Sequence, residues 1–99
     1  MDSLKQSDDA AAAVAVAPRV TLADIEAKIA SEEYQVFSGV LTICVITTTA
    51  GFHVTGESAC AAPENFDAEL GIKFAREQAI RKLWGFEGYL LREKLHQAA

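Results

Sequence analysis

Cysteine is scarce: Cys44 and Cys60 are the only two in 99 residues, too few for the disulfide framework on which small secreted domains rely. A reducing, intracellular setting is the expectation. No apolar run approaches the roughly eighteen residues that a membrane-spanning helix needs, so no membrane anchor is expected. The 51% apolar content is still that of a globular chain rather than a disordered one. Basic residues are also sparse, nine Lys and Arg against fourteen Asp and Glu for a net charge of −5, which withholds the positive footprint of a nucleic-acid binder. The two histidines and two cysteines lack the short pairwise spacings of zinc sites. No phosphate-binding loop, dinucleotide fingerprint or hydrolase elbow occurs, and neither cofactor nor metal is expected.

What is present divides unevenly. Residues 1–67 carry three Lys and Arg against ten Asp and Glu, whereas residues 68–99 carry six against four. The first seventeen residues contain a short apolar stretch, but Asp2, Asp8 and Asp9 against a single Lys5 give the wrong charge for an export signal. They are expected to form a flexible tail ahead of one α+β domain spanning residues 18–99.

Within that domain, Thr21 and Asp24 stand as a capping box for a helix expected from Leu22 to about Glu33. Gly39 separates it from V-L-T-I-C-V-I-T-T-T, whose β-branched content predicts a strand. Both faces of that strand are apolar, so both are expected to be covered. Gly51 supplies the positive φ of a hairpin loop, and Phe52 to Thr55 returns as a second strand. Pro63 and the N-cap candidate Asn65 precede the strongest helical pattern, Asp67 to Trp84. Its stripe of Ala68, Ile72, Ala75, Ala79 and Leu83 is expected to face the core. Gly71 would cost about 1 kcal/mol against Ala unless something packs on its backbone, which points to a tight crossing. Gly85 is expected to bend the chain into a final helix, completing an α-β-β-α-α order.

Candidate functional residues gather in the connection Gly51 to Phe66. Cys60 with His53 is the one nucleophile and base pairing available. Glu57, Ser58 and Asn65 stand near a helix start, where free amides attract anions. Arg76 falls on the apolar side of the main helix, so its charge must be paired, with Glu57 as the expected partner, or lead into a cleft. Trp84 and Tyr89 sit on the expected arm, with aromatic and leucine side chains suited to an interface.

The phrases G-F-H-V-T-G-E-S-A-C-A-A-P-E-N-F-D-A-E-L-G, A-R-E-Q-A-I-R-K-L-W and E-G-Y-L-L-R-E-K-L, together with R-V-T-L-A-D-I-E-A-K-I-A, resemble the gene-product forty-nine/sixty-six family of tailed-bacteriophage and prophage proteins. The resemblance spans about Arg19 to Leu95. It implies a phage or prophage gene expressed in a bacterial cytoplasm, and it brings no catalytic or binding residues with it. Members of that family usually show W-P-L-E-G-Y-L-L where this chain has W-G-F-E-G-Y-L-L, so a glycine replaces the rigid bend after Trp84.

These readings favour a phage accessory protein that works by stoichiometric binding, in host takeover or counter-defence, rather than by turnover. Its target would be a host protein met by the Trp84 to Leu95 arm, or a small nucleotide held between subunits of a homo-oligomer by Arg76, Ser58 and Asn65. A thiol-dependent enzyme using Cys60, or a structural virion component, are the alternatives.

Overall fold

A computed structural model describes residues 3–99 of the chain. Helix α1 (Ser3–Val14) leads through an extended segment to the short helix α2 (Leu22–Ala27). Three strands follow, β1 (Ile29–Phe37), β2 (Leu41–Thr48) and β3 (His53–Ala59), then a 3-10 turn (Pro63–Asn65) and a single long helix α3 (Ala68–Ala98). The fold is α+β: an antiparallel meander in the order β1-β2-β3, with α3 laid across β2 and β3 on one face.

The helix expected to run to Glu33 stops after one and a half turns. The capping box forms as the sequence indicates: the Thr21 hydroxyl accepts from the Asp24 amide at 3.1 Å, and the Asp24 carboxylate accepts from the Thr21 amide at 2.9 Å. What ends α2 is the pairing of the next nine residues with β2, from Ile29↔Thr48 to Phe37↔Leu41. The turn between them places Ser38 and Gly39 at φ 53° and 68°. Two successive positive φ values define the type I′ turn, whose twist matches that of a hairpin. The Val40 amide closes the turn on the Phe37 carbonyl at 3.1 Å. Edge strand β1 carries Glu32 and Glu33 side by side, charges that discourage pairing with a further strand.

Gly51, at φ 84°, turns β2 into β3 as expected. The second strand, however, begins one residue later and runs four residues further than the expected Phe52 to Thr55. Phe52 lies outside β3 and is exposed.

Side chains of β2 alternate. Thr42, Cys44, Ile46 and Thr48 are buried beneath α3, while Leu41, Ile43, Val45 and Thr47 lie half-buried on the opposite face. No element of the described residues covers that opposite face, contrary to the expectation of cover on both sides. The core is Leu22, Ile25, Cys44, Ile46, Val54, Ala75, Ala79, Ile80 and Leu83, with Leu4 added from α1.

The approach of α3 to the sheet is set by small residues. A Cβ on Gly56 would run into the Ala75 carbonyl oxygen and lie 2.6 Å from the Ala79 amide nitrogen; one on Gly71 would lie 2.5 Å from the Thr42 hydroxyl. Gly71 is therefore the tight crossing anticipated from its cost in a helix. The stripe facing the core is Gly71, Ala75, Ala79, Ile80 and Leu83, whereas Ile72 is exposed. The cap of α3 is Asp67, whose carboxylate accepts from the Leu70 amide at 3.0 Å; Asn65 lies in the preceding 3-10 turn. No bend occurs at Gly85, and α3 continues for 31 residues, about 46 Å at the α-helical rise. The segment expected as a tail instead carries α1, with Leu4 buried and the Ser3 hydroxyl donating to Glu77 at 2.7 Å.

Candidate functional site

The candidate residues separate into three neighbourhoods. Ser58, Cys60 and Asn65 come together. They line a cleft of about 190 Å³ with Phe66, Leu70, Gly71 and Phe74, where the end of β3 meets the start of α3. The Cys60 amide donates to the Val40 carbonyl at 3.0 Å, fixing the chain as it leaves the sheet. Beneath the cleft floor the Thr42 hydroxyl is fully buried against Gly71 with no hydrogen-bond partner among the described residues.

His53 does not belong to this cleft. It opens β3 and Cys60 follows its end, and seven residues of strand at about 3.3 Å each put the two roughly 20 Å apart. The His53 Nδ1 instead lies 3.0 Å from the Thr47 hydroxyl across the hairpin. The Cys60–His53 dyad is not formed.

Arg76 occupies a second neighbourhood, on the β1 side of α3. Its Nε donates to Glu32 Oε1 at 2.9 Å, and the Tyr34 hydroxyl donates to the same oxygen at 2.6 Å. Burial alone would raise the Glu32 carboxyl, yet the bonds from Tyr34 and Arg76 outweigh it and hold the group below its ordinary range. Burial and the Glu32 carboxylate together push the Tyr34 phenol well up. Burial likewise raises the neighbouring Cys44 thiol, which makes it an inert core residue rather than a nucleophile. The expected Glu57–Arg76 pair is absent because Glu57 projects from the other face of the sheet, in register with Ile43. Its backbone amide, pointing off the free edge of β3, donates to Gln78 of α3 at 2.7 Å. Sequence reading missed Glu32, since its segment resembles the end of a helix: I-A-S-E-E-Y-Q-V-F lacks a period-two alternation, and Tyr34, Val36 and Phe37 ahead of Ser38 and Gly39 are too brief a strand signal to reach back to Glu32.

The third neighbourhood lies along the second half of α3. Trp84 is half-buried in a hollow of about 560 Å³ between α1 and α3, with Leu4, Arg81 and Leu91. On the rim of this hollow Arg19 is paired to Asp8 at 2.9 Å. That guanidinium, and then the Leu22 amide, hold the Asp8 carboxyl below its usual range. Tyr89 faces away from the hollow, into a groove of about 330 Å³ shared with Phe52, Phe86 and Leu90. The rings of Phe52 and Phe86 meet edge to face at 5.4 Å, which ties the hairpin tip to the arm. Among the described residues, no three His, Cys, Asp or Glu gather as a metal site, and no helix is long and apolar enough to cross a membrane.

These features define a class: a small α+β protein whose sheet is covered on one face by a single helix that overruns it. Residues 20–95 match the profile of the Phage protein (N4 Gp49/phage Sf6 gene 66) family. The chain belongs to that family. No curated protein and no solved structure matches it.

Proposed function

We propose that this phage protein is an accessory factor that acts by stoichiometric binding in the cytoplasm of the bacterial host, in takeover or counter-defence, with a host protein as its target. The observation that carries this reading is the apolar arm. Phe52, Phe86, Tyr89 and Leu90 are 55%, 50%, 66% and 54% exposed around one groove, a concentration of aromatic surface typical of binding hot spots. The groove also has Lys28 and Glu87 on its rim, 3.7 Å apart, so an apolar centre is bordered by charge, as in protein interfaces generally.

A small nucleotide is the second reading, favoured by the cleft that sets the polar groups of Ser58 and Asn65 beside the rings of Phe66 and Phe74. At about 190 Å³ it is smaller than the roughly 300 Å³ of a typical small-molecule site, so a second subunit would have to complete it. Arg76, engaged by Glu32, would not contribute.

Native mass spectrometry of protein purified gently from a bacterial host separates the two. The leading reading expects one host protein at fixed ratio, lost in a Tyr89→Ala variant whose circular dichroism is unchanged. A small retained mass on an otherwise unpartnered protein would replace it with the nucleotide reading. A bound host protein indifferent to Tyr89→Ala would remove the arm from the argument.

A further inference from the structure

The face of the sheet turned away from α3 presents Leu41, Ile43 and Val45 down its centre, and no element of the described residues covers them. Antiparallel sheets that face water normally put polar residues there. The molecule as a whole is flat and elongated, with a shortest extent of 18 Å against 54 Å along its length. Its accessible surface of 6481 Å² exceeds by about 1,000 Å² the roughly 5,500 Å² expected of a folded monomer of its mass. A standard interface removes roughly 800 Å² from each partner.

We propose that a second copy of this chain covers this face, the two open sheets stacking into a symmetric dimer with an α3 helix on each outer side. Charge is what selects a copy of the same chain. The acids Glu33 and Glu57 flank the apolar stripe on β1 and β3, at the levels of Val45 and Ile43. In a stacked pair centred on the stripe, midway between Ile43 and Val45 on β2, the two-fold axis lies between the sheets, either along the strands or across them. Along the strands it sets Glu33 over Thr55 of the second copy and Glu57 over Gln35. Across them it sets Glu33 over Gln35 and Glu57 over Thr55. Neither arrangement opposes acid to acid, and both give each carboxylate a hydrogen-bond donor. The stripe meets its own image, so an apolar centre is enclosed by a polar rim, the usual anatomy of such an interface. Stacked sheets sit about 10 Å apart, a gap that the Leu, Ile and Val side chains fill from both sides.

Light scattering on the full chain at about 100 μM, a concentration at which a standard-sized homodimer is populated, tests this. The expected particle has twice the 10.6 kDa of the chain. Ile43→Glu, which sets two carboxylates in the apolar centre, should raise the dissociation constant on the order of a hundredfold or more. Because that variant also places a charge within the central strand, Gln35→Lys supplies an independent arm: at an exposed edge position opposite an acid in either stacking, it should tighten the dimer, and the gain should fade with added salt. A monomeric native chain would overturn the proposal. So would an oligomer that a folded Ile43→Glu leaves intact, or that Tyr89→Ala dissolves, since the latter would place the contact on the arm.

Discussion

At the scale of single residues, the most informative group is Glu32. It takes two donors on one oxygen, Tyr34 at 2.6 Å and Arg76 at 2.9 Å, and so joins β1 to α3 across the edge of the core. Its carboxyl is held below the ordinary value of 4.5. A depressed carboxyl contributes stability that is complete above its unfolded value and disappears as the pH falls through its folded one. Replacement by Gln should therefore cost about 1–2 kcal/mol near neutrality, the range of a partly exposed charged hydrogen bond. The gap between the two proteins should narrow as the pH falls below the ordinary carboxyl value and on through the lower folded one, where the native carboxyl also gains its proton. Urea titrations from pH 3 to pH 7 measure this, and a gap independent of pH would mean that Glu32 acts through packing alone. Tyr34 has the opposite sign. Its phenol is raised from 10.0, so its contribution is intact at neutral pH and is lost only in alkali. Arg76 shows what sequence can and cannot say at this scale: that it needed a partner was legible from its place on an apolar face, but which acid met it depended on a strand that the sequence pattern concealed.

At the scale of elements, legibility followed the strength of the local signal. The capping box at Thr21, the glycine turn at Gly51 and the close packing at Gly71 each rest on a short-range rule, and each appears in the structure. The misread elements are those whose outcome depends on contacts far along the chain. Residues 29–33 are polar enough to pass for the end of an amphipathic helix, and only the pairing of 29–37 with β2 makes them part of a strand. Trp84-Gly85-Phe86 looked like a break because glycine is a poor helix former. The helix nevertheless runs through it, supported by the Phe52–Phe86 contact at 5.4 Å and by Leu83 buried just before it. Nothing lies within 4 Å of a Cβ built on Gly85. Gly85→Ala should therefore stabilise the protein by about 1 kcal/mol, the helix-propensity difference between the two residues. A loss of stability would show that this position bends in solution, as the sequence alone suggests. Chemical denaturation followed by far-ultraviolet circular dichroism is sufficient to decide.

At the scale of the whole molecule, α1 is the part least integrated with the rest. It precedes the 20–95 stretch matched by the family, and the extended segment 15–21 separates it from α2. Its apolar anchorage is one side chain, Leu4, 2% exposed, supplemented by polar links from Ser3 to Glu77 and from Asp8 to Arg19 and the Leu22 amide. A helix that buries a single apolar side chain opens with a smaller free energy than the strands beneath α3. That sets a ceiling on what its anchor can contribute. Leu-to-Ala in an integral core costs about 2–5 kcal/mol, but once the cost reaches the docking free energy of α1, the helix detaches and nothing further is lost. Leu4→Ala should consequently speed amide exchange throughout Ser3–Val14 while leaving the amides of β2 nearly as protected as before. The unfolding free energy from urea titration should fall by less than an integral core site would give, about 2 kcal/mol at most. Hydrogen exchange read by mass spectrometry resolves the two segments directly. A uniform loss of protection in α1 and β2 would instead make α1 part of the cooperative core, with the hollow beside Trp84 enclosed by the fold itself.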